Sequence, residues 1–335
     1  MNVLITGGLG YIGSHISVVL LDAGYNVFLF DNLVNSSRDV VEKISSITNK
    51  ELLFLEGDVR DSMSLIKFMR AHNIDAVIHL AGLKAVGESV SNPLEHFDNN
   101  VCGLVSLVSA MQKCNIKKLI FSSSATVYGD PAYLPLDEEH PKSATNPYGR
   151  TKLHCEEILA DIAKSDSTWR ITSLRYFNPI GAHNSGLIGE NPSDIPNNIM
   201  PYIVQVAKGA LPELTIFGNN YATADGTGVR DYIHVEDLSE GHFVALNQLS
   251  KRDLPYDVFN LGAGRGFSVL ELISAFEQVS DCKVNFKIGD RRPGDIGTCF
   301  ASIHKAEVKL KWQAKRTIHD MCRSAWYFEV GKNKL

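Results

Sequence analysis

Only six cysteines are spread through 335 residues, at positions 102, 114, 155, 282, 299 and 322, and no two form a C-x-x-C pair. That scarcity excludes a disulfide-framed secreted module and a cysteine-rich zinc site, so no metal is expected. It fits reduced thiols in a cytoplasmic protein. No apolar run approaches the roughly 20 residues that span a bilayer. Positive charge is not in excess either. The 33 Lys and Arg against 38 Asp and Glu leave a formal net charge of −5, which argues against nucleic acid or a membrane surface as a partner. Internal repeats and low-complexity tracts are also missing. The chain as given enters an apolar run at once, so no signal peptide is expected.

What is present is ordinary for a globular enzyme: 44% hydrophobic and 21% charged residues. The length suffices for a large core and for two lobes. The organising stretch is Thr6-Gly7-Gly8-Leu9-Gly10-Tyr11-Ile12-Gly13. It lies between the apolar run Val3-Leu4-Ile5 and a helical pattern carrying Ile12, Ile16, Val19 and Leu20. A strand–turn–helix context turns a glycine-rich string into a dinucleotide-site signal. Gly7 permits the tight turn, Gly10 lets a pyrophosphate approach the backbone, and Gly13 lets the helix pack on the strand. Helix N–H groups and the positive dipole end then favour phosphates. The spacing is G-x-x-G-x-x-G rather than the commoner G-x-G-x-x-G. The next apolar run, Val27-Phe28-Leu29-Phe30, ends in Asp31-Asn32. A carboxylate there can accept from ribose hydroxyls and repels a 2′-phosphate, so NAD is preferred to NADP. Asp31 also reads as a simple strand-end turn residue.

Strands then alternate with helices, which predicts an α/β fold: a doubly wound parallel sheet of Rossmann type. Expected strands are 2–6, 26–31, 52–57, 76–81, 118–123 and 171–176, and expected helices 11–23, 38–47, 61–72, 95–114 and 148–164. The dinucleotide domain is expected over 1–176, with 233–262 returning to it as a helix and a strand. A smaller mixed lobe is expected from 177–232 and 263–335. Asp58, after the third strand, reads either as an adenine-edge contact or as a cap for the helix from Ser62. Lys84, after the fourth strand, reads as a cleft contact or a solvated loop lysine. Ser122-Ser123-Ser124 end the fifth strand, where ligands bind in such sheets. They also read as a strand exit satisfying its own backbone.

Pro147 starts a helix in which Tyr148 and Lys152 stand four apart, on one face. A phenol titrates near pH 10, and a nearby ammonium favours the phenolate. Lowering that pKa by roughly three units, about 4 kcal/mol, makes a base usable near neutrality. A Tyr–Lys pair at this spacing is also common surface decoration. The glycine turn and the serine cluster tilt the reading toward chemistry.

Taken together these residues resemble the extended short-chain dehydrogenase/reductase family, and within it the UDP-galactose/UDP-glucose (UDP-hexose) 4-epimerases. The resemblance is carried by Thr6–His15, Ala81–Val90, Phe121–Gly129, Tyr148–Lys152, Arg175–Ala182, Ile195–Tyr202, Phe217–Asn219, Asp225–Val235, Asn260–Gly264 and Arg291–Asp295, in order along almost the whole chain. It implies a UDP-sugar isomerase with NAD as cofactor. Tyr148 is then the acid/base, Lys152 its electrostatic partner and a nicotinamide-ribose contact, and Ser124 the hydroxyl bridging to the sugar O4. Tyr176 and Phe177 line the nicotinamide pocket with Asn99 and Lys84. Tyr11, Ile12, Asn32, Asn35, Ser36, Val59, Leu80, Ala81, Gly82 and Ser122 are also assigned to the cofactor. Asn178 and Asn198 hold diphosphate and sugar, and Phe217 lies by the uracil. Arg230 and Arg292 clamp the pyrophosphate, since a planar guanidinium binds phosphate bidentately. Without the resemblance these two read equally as surface ion pairs. Asp295 accepts from the uridine ribose. Ile199 and Tyr232 complete the substrate set.

Within the resemblance, the gate over the sugar C2 substituent falls at Cys299, where relatives confined to the plain hexoses commonly carry Tyr. A small residue leaves room for an acetamido group. UDP-GlcNAc and UDP-GalNAc are therefore expected as substrates too, although Cys299 also reads as a small buried thiol. Leu80 departs from a frequent aromatic. Relatives pair through helices equivalent to 95–114 and 148–164, which implies a homodimer; Val101, Leu104, Val105 and Val108 form a stripe suited to that or to a core. Two other readings remain. A nucleotide-sugar 4,6-dehydratase carries an Asp–Glu pair after the strand-five hydroxyl, where this chain has Ala125-Thr126. A non-catalytic NAD-sensing protein can dispense with the Tyr–Lys pair, which this chain keeps.

Overall fold

A computed structural model describes residues 1–192, 196, 198–251, 254–292 and 295–331. Four residues of the motif stretches, Ile195, Asn197, Pro293 and Gly294, lie outside them. In chain order the strands and helices are β1 (Asn2–Thr6), α1 (Tyr11–Asp22), β2 (Asn26–Asp31), α2 (Asp39–Thr48), β3 (Leu53–Glu56), α3 (Ser62–Ala71), β4 (Ala76–His79), α4 (Val86–Ser91), α5 (Pro93–Phe97), α6 (Gly103–Lys113), β5 (Lys118–Ser124), α7 (Pro147–Ser165) and β6 (Arg170–Tyr176). There follow β7 (Asn178–Ile180), α8 (Ile199–Ala207), β8 (Leu214–Phe217), β9 (Val229–His234), α9 (Val235–Gln248), β10 (Tyr256–Leu261), β11 (Gly266–Ser268), α10 (Val269–Ser280), β12 (Phe286–Gly289), β13 (Thr298–Cys299) and α11 (Ile318–Gly331).

One seven-stranded sheet has the order β10-β6-β5-β4-β1-β2-β3. The order reverses between β1 and β4, and β1 pairs in parallel with both β2 and β4. This is the doubly wound arrangement, in which ligands bind beyond the strands' carboxyl ends at the reversal. The glycine turn after β1 occupies that position. Apolar strands make it possible: Val3, Leu4 and Ile5 are wholly buried, as expected for strands covered on both faces.

The chain forms two compact units. The first comprises Met1–Gly129, Lys142–Arg175 and Ser239–Phe259, and the second Asp130–Pro141, Tyr176–Leu238 and Asn260–Leu335. Leu4, Phe30, Phe68, Leu107 and Trp169 belong to the core of the first. Ile203, Leu272, Phe276 and Cys322 belong to that of the second. In the second unit β9 pairs antiparallel with β11 and parallel with β13 and β7. A separate parallel pair joins β8 to β12.

Strand positions follow the apolar runs within a residue or two. The helix expected over 95–114 is instead interrupted. It enters as α5, widens into a π turn over Asp98–Cys102, and continues as α6. The widened turn carries the buried Asn100, whose side chain bonds elsewhere in the first unit. Such π bulges collect at functional sites. The stripe on this helix also divides. Leu104 and Val108 are core, whereas Val105 is 46% exposed. Burying each of the first two contributes about 1.5–3 kcal/mol. Among the described residues no helix is long and apolar enough to cross a membrane. All six cysteines are free thiols.

Candidate active site

The turn after β1 is held by backbone bonds. Gly7 N–H donates to the Phe30 carbonyl at 2.8 Å and Gly10 N–H to the Gly7 carbonyl at 3.2 Å. Gly7 sits at φ +70°, and a Cβ there would come within 2.7 Å of the Ala81 backbone. Only glycine meets both demands. Among the described residues, a Cβ on Gly10 would meet nothing closer than the Gly7 oxygen at 3.3 Å. The first turn of α1 has no side-chain cap and no acidic residue, so it can receive an anion. Asp31 is 7% exposed. Its carboxylate accepts from Leu9 N–H at 3.0 Å, Leu33 N–H at 3.0 Å and the Ser36 hydroxyl at 2.7 Å. It thus serves as a turn residue while tying the glycine turn to the exit of β2. Asn35 is exposed on that exit.

Asp58 is not a helix cap. That role belongs to Asp61, which accepts from Met63 N–H and Ser64 N–H at 3.1 Å each. Asp58 instead takes the Arg60 guanidinium at 2.9 and 2.7 Å. That hydrogen-bonded ion pair holds its carboxyl down at about 2. The Asn32 amide reaches it at 3.5 Å, and the neighbouring Val59 is core. Past β4, Leu80 and Ala81 N–H groups both donate to the Thr6 carbonyl. Gly82 is the next residue, and a Cβ on it would lie 3.7 Å from Lys152 Nζ. Lys84 is exposed and Asn99 half-buried.

The serine, tyrosine and lysine meet in the first unit. Asn146 accepts from Gly149 N–H at 2.8 Å and Pro147 takes the first helical position, which together start α7. A Cβ on Gly149 would lie 2.8 Å from the Thr126 carbonyl oxygen. Glycine there lets α7 press against the turn that follows β5. That brings the Tyr148 phenol close enough to Ser124 for the serine hydroxyl to favour its ionised form. The Ser124 hydroxyl also accepts from Thr126 N–H at 3.2 Å and Thr126 Oγ1 at 3.0 Å. Lys152 Nζ donates to the Ser122 carbonyl at 2.8 Å and stands 5.9 Å from the Tyr148 ring centre.

The expected lowering of the tyrosine pKa is not delivered by these side chains. Desolvation pushes the phenol up to about 12, and nearby Ser124 pulls it only partly back. Lys152 is desolvated too, which pushes it down to about 8. An activating charge must be added to this pair before it becomes a base near neutrality.

In the second unit β13 places Cys299 beside Arg230 of β9, and β7 places Asn178 beside Tyr232. Arg230 forms no ion pair among the described residues. Among the described residues its guanidinium donates to two backbone carbonyls, of Val229 at 2.9 Å and of Gly297 at 3.5 Å. That leaves donors for an anion. Arg292 does form an ion pair, with Asp295 at 2.9 Å, and lies 4.6 Å from the Phe217 ring centre. Three expected substrate residues are therefore neighbours. Asn198, before α8, donates to Glu190, and Ile199 is half-buried. Cys299 is 6% exposed, and burial pushes its thiol up to about 11. Tyr232, Tyr176 and Phe177 are buried.

Several residues invisible to pattern reading hold these groups. Asn100 accepts from Leu83 N–H at 2.8 Å and donates to Thr151 Oγ1 at 3.0 Å, linking the loop after β4 to α7. Asp231, wholly buried, accepts from the N–H groups of Ala263, Gly264 and Ala301 at 2.7–3.0 Å. Asp237 receives Lys315 N–H at 3.1 Å and Arg316 N–H at 2.9 Å. Much of the Asp225–Val235 motif is thus scaffold around Arg230. Its only sequence signal was an acid inside an apolar run.

Burial also sets an acid limit on stability. His79, bonded to Thr6 Oγ1 at 2.7 Å, and His234, bonded to Ser324 Oγ at 3.0 Å, are both desolvated and pushed down to about 3. The unfolded chain then binds more protons below about pH 6.5, so each histidine removes about 1.4 kcal/mol per pH unit as pH falls toward 3. Asp231, pushed up to about 6 by burial, acts oppositely between about pH 4 and 6 and offsets one of them. Urea unfolding from pH 8 to 4.5 is expected to show stability level above 6.5 and falling below it. His79→Gln is expected to flatten the fall, and an unchanged slope would contradict the assignment.

Comparison with known proteins decides the family. A profile of the GDP-mannose 4,6 dehydratase family matches residues 4–325. A UDP-glucose 4-epimerase of Bacillus subtilis is 52% identical over 98% of this chain and 97% of its own. The chain belongs to the UDP-glucose 4-epimerase family. Two crystal structures from this family share the fold at 48% identity. The Stenotrophomonas maltophila UDP-glucose 4-epimerase, bound to NAD and formylated UDP-arabinopyranose, matches with a TM-score of 0.97 over 100% of this chain and 99% of that one. The Bifidobacterium longum epimerase, in complex with NAD+ and UDP, matches with a TM-score of 0.96 over 99% of both chains.

Proposed function

We propose that this chain interconverts UDP-glucose and UDP-galactose by inverting the sugar C4, with NAD as a resident cofactor. The observation that carries the reading is the meeting of Ser124, Tyr148 and Lys152, with Ser124 favouring the phenolate and Lys152 Nζ 5.9 Å from the phenol ring centre, in a chain of this family. The first unit fits the cofactor. The uncapped α1 N-terminus and the open face at Gly10 suit its diphosphate, and Asp31 suits an unphosphorylated ribose. When bound, NAD+ supplies a reversible hydride acceptor for C4 and a positive charge.

Tyr148 takes the proton from the sugar O4 and later returns it, while Ser124 bonds the same oxygen. Lys152 opposes any negative charge on the phenol and reaches the cofactor ribose. Inversion requires the 4-keto sugar to turn about its bond to the β-phosphoryl. Affinity must then reside in the nucleotide rather than at the reacting carbon. Arg230, with its spare donors, and the Arg292–Asp295–Phe217 group supply it, together with Asn178 and Asn198. The dehydratase reading needs a carboxylate after Ser124. Ala125 and Thr126 stand there, and the Thr126 hydroxyl is engaged with Ser124.

The substrate range extends to UDP-GlcNAc and UDP-GalNAc through the small Cys299. Cys299→Tyr is expected to cut UDP-GlcNAc turnover roughly 10- to 100-fold, as steric exclusion does in a specificity pocket, and to spare UDP-galactose. Equal turnover of UDP-GlcNAc by both proteins would refute the gate. The protein acts in the cytoplasm as a homodimer in this reading, in keeping with free thiols and the exposed Val105. Incubating the purified protein with UDP-galactose and no added NAD tests the central claim. UDP-glucose should form, and its absence from protein shown to hold NAD would overturn the reading.

A further inference from the structure

Behind the reacting side chains the first unit contains a buried polar cluster that the chemistry above does not use. Glu156 lies one turn beyond Lys152 on α7, and its side chain is 2% exposed. Its Oε1 accepts from the Ser123 hydroxyl at 2.6 Å and from Arg175 Nε at 2.9 Å. Its Oε2 accepts from Arg175 Nη2 at 2.7 Å. Arg175 Nη1 donates to the Tyr128 hydroxyl at 2.9 Å. Ser143 Oγ, just before α7, donates to the Tyr128 carbonyl at 2.9 Å. One carboxylate is therefore bonded to the residue preceding Ser124 and to the residue preceding Tyr176, from the helix that carries Tyr148 and Lys152.

We propose that Glu156 and Ser123 are positioning residues for the epimerisation. Their hydrogen bond fixes the spacing of α7 from the end of β5, and so keeps Ser124 within reach of the Tyr148 phenol. The inference rests on the activity proposed above. A purely apolar contact would bring the helix and strand together but would leave their sliding free. The Glu156–Ser123 bond, short and charge-assisted, is directional. Its paired geometry with Arg175 leaves the carboxylate no second orientation. Neither residue touches substrate or cofactor in this scheme. They act through Ser124 and Tyr148 alone. Glu156 is also not among the groups that shift Tyr148 or Lys152, so its influence is one of place rather than charge.

Ser123→Ala is the discriminating variant, because it removes this one bond and leaves the Glu156–Arg175 ion pair intact. Misplacement by an ångström can cost about 100-fold in rate. Loss of a single tether is expected to lower kcat by about tenfold or more, with KM for UDP-galactose, bound NAD and Tm near wild type. The pH–rate profile should keep its shape while its height falls. Ser123→Thr, which restores the hydroxyl, should recover most of kcat. Glu156→Gln keeps an oxygen facing Ser123 and serves as the second variant. Its Tm should fall, yet kcat per folded, NAD-loaded molecule should exceed that of Ser123→Ala. The proposal is overturned if Ser123→Ala turns over within twofold of wild type. It is overturned equally if its lost activity is explained by lost NAD or raised KM, or if the profile shifts along the pH axis. Wild-type protein and Tyr148→Phe run beside it. Inactive wild type or active Tyr148→Phe would refute the epimerase reading itself, whatever Ser123→Ala does.

Discussion

Tyr148→Phe is expected to retain NAD and UDP and to lose epimerisation by roughly 100- to 10,000-fold, the usual contribution of a placed acid/base. The substitution removes one oxygen and keeps the ring. Folding should therefore change little. The effect should fall on kcat, because O4 proton transfer belongs to the transition state and nucleotide contacts do not. Product formation from UDP-galactose, followed by chromatography of the nucleotide sugars, reads it directly. Turnover near wild type would sink the assignment. A companion titration follows from the phenol's position. In protein stripped of NAD, the Tyr148 absorbance change should come above pH 10, since desolvation pushes that phenol up to about 12. Lys152 alone does not reverse this, so rebinding NAD+ should bring the transition downward. An unaltered titration on rebinding would mean that the activating charge acts elsewhere.

Arg175→Ala is expected to destabilise the protein by about 3–5 kcal/mol, because it leaves the Glu156 carboxylate buried and uncompensated. The Arg175 and Glu156 side chains are 3% and 2% exposed, so water cannot replace the lost partner. The Tyr128 hydroxyl loses its donor as well. Replacing both members of the pair by well-packed apolar residues, as in Arg175→Met with Glu156→Leu, should recover most of that loss. Denaturant midpoints of the single and double variants check this. A single variant within about 1 kcal/mol of wild type, the range of an exposed ion pair, would show that the pair is solvated in solution.

The glycine turn, Asp31, the Tyr148–Lys152 spacing and the strand-five serines were legible from the chain because each is a local signal. A turn needs glycine at a named place, and two side chains four apart share a helix face. Arg230 shows the limit of such signals. Its residue type suggests an anion clamp or an ion pair with equal force. Only the fold shows a guanidinium that meets carbonyls and no acid among the described residues. Asp58 shows the same limit from the other side. Both Asp58 and Asp61 precede a helix, and geometry gives the cap to Asp61.

The sequence by itself determined the alternation of strands and helices as far as β6, the doubly wound sheet and the place of the glycine turn, since periodicity and turn chemistry act over a few residues. Tertiary structure alone decided which polar groups hold the site in shape. Asn100 joins Leu83 to Thr151, Glu156 joins Ser123 to Arg175, and Asp231 gathers backbone from Ala263, Gly264 and Ala301. Each of these partners is distant in the chain, and a buried polar side chain has no periodicity that points to it. Burial decided the pKa directions too. The same tyrosine and lysine that look like a ready base on a helical wheel are, once desolvated, a phenol and an amine both shifted toward their neutral forms.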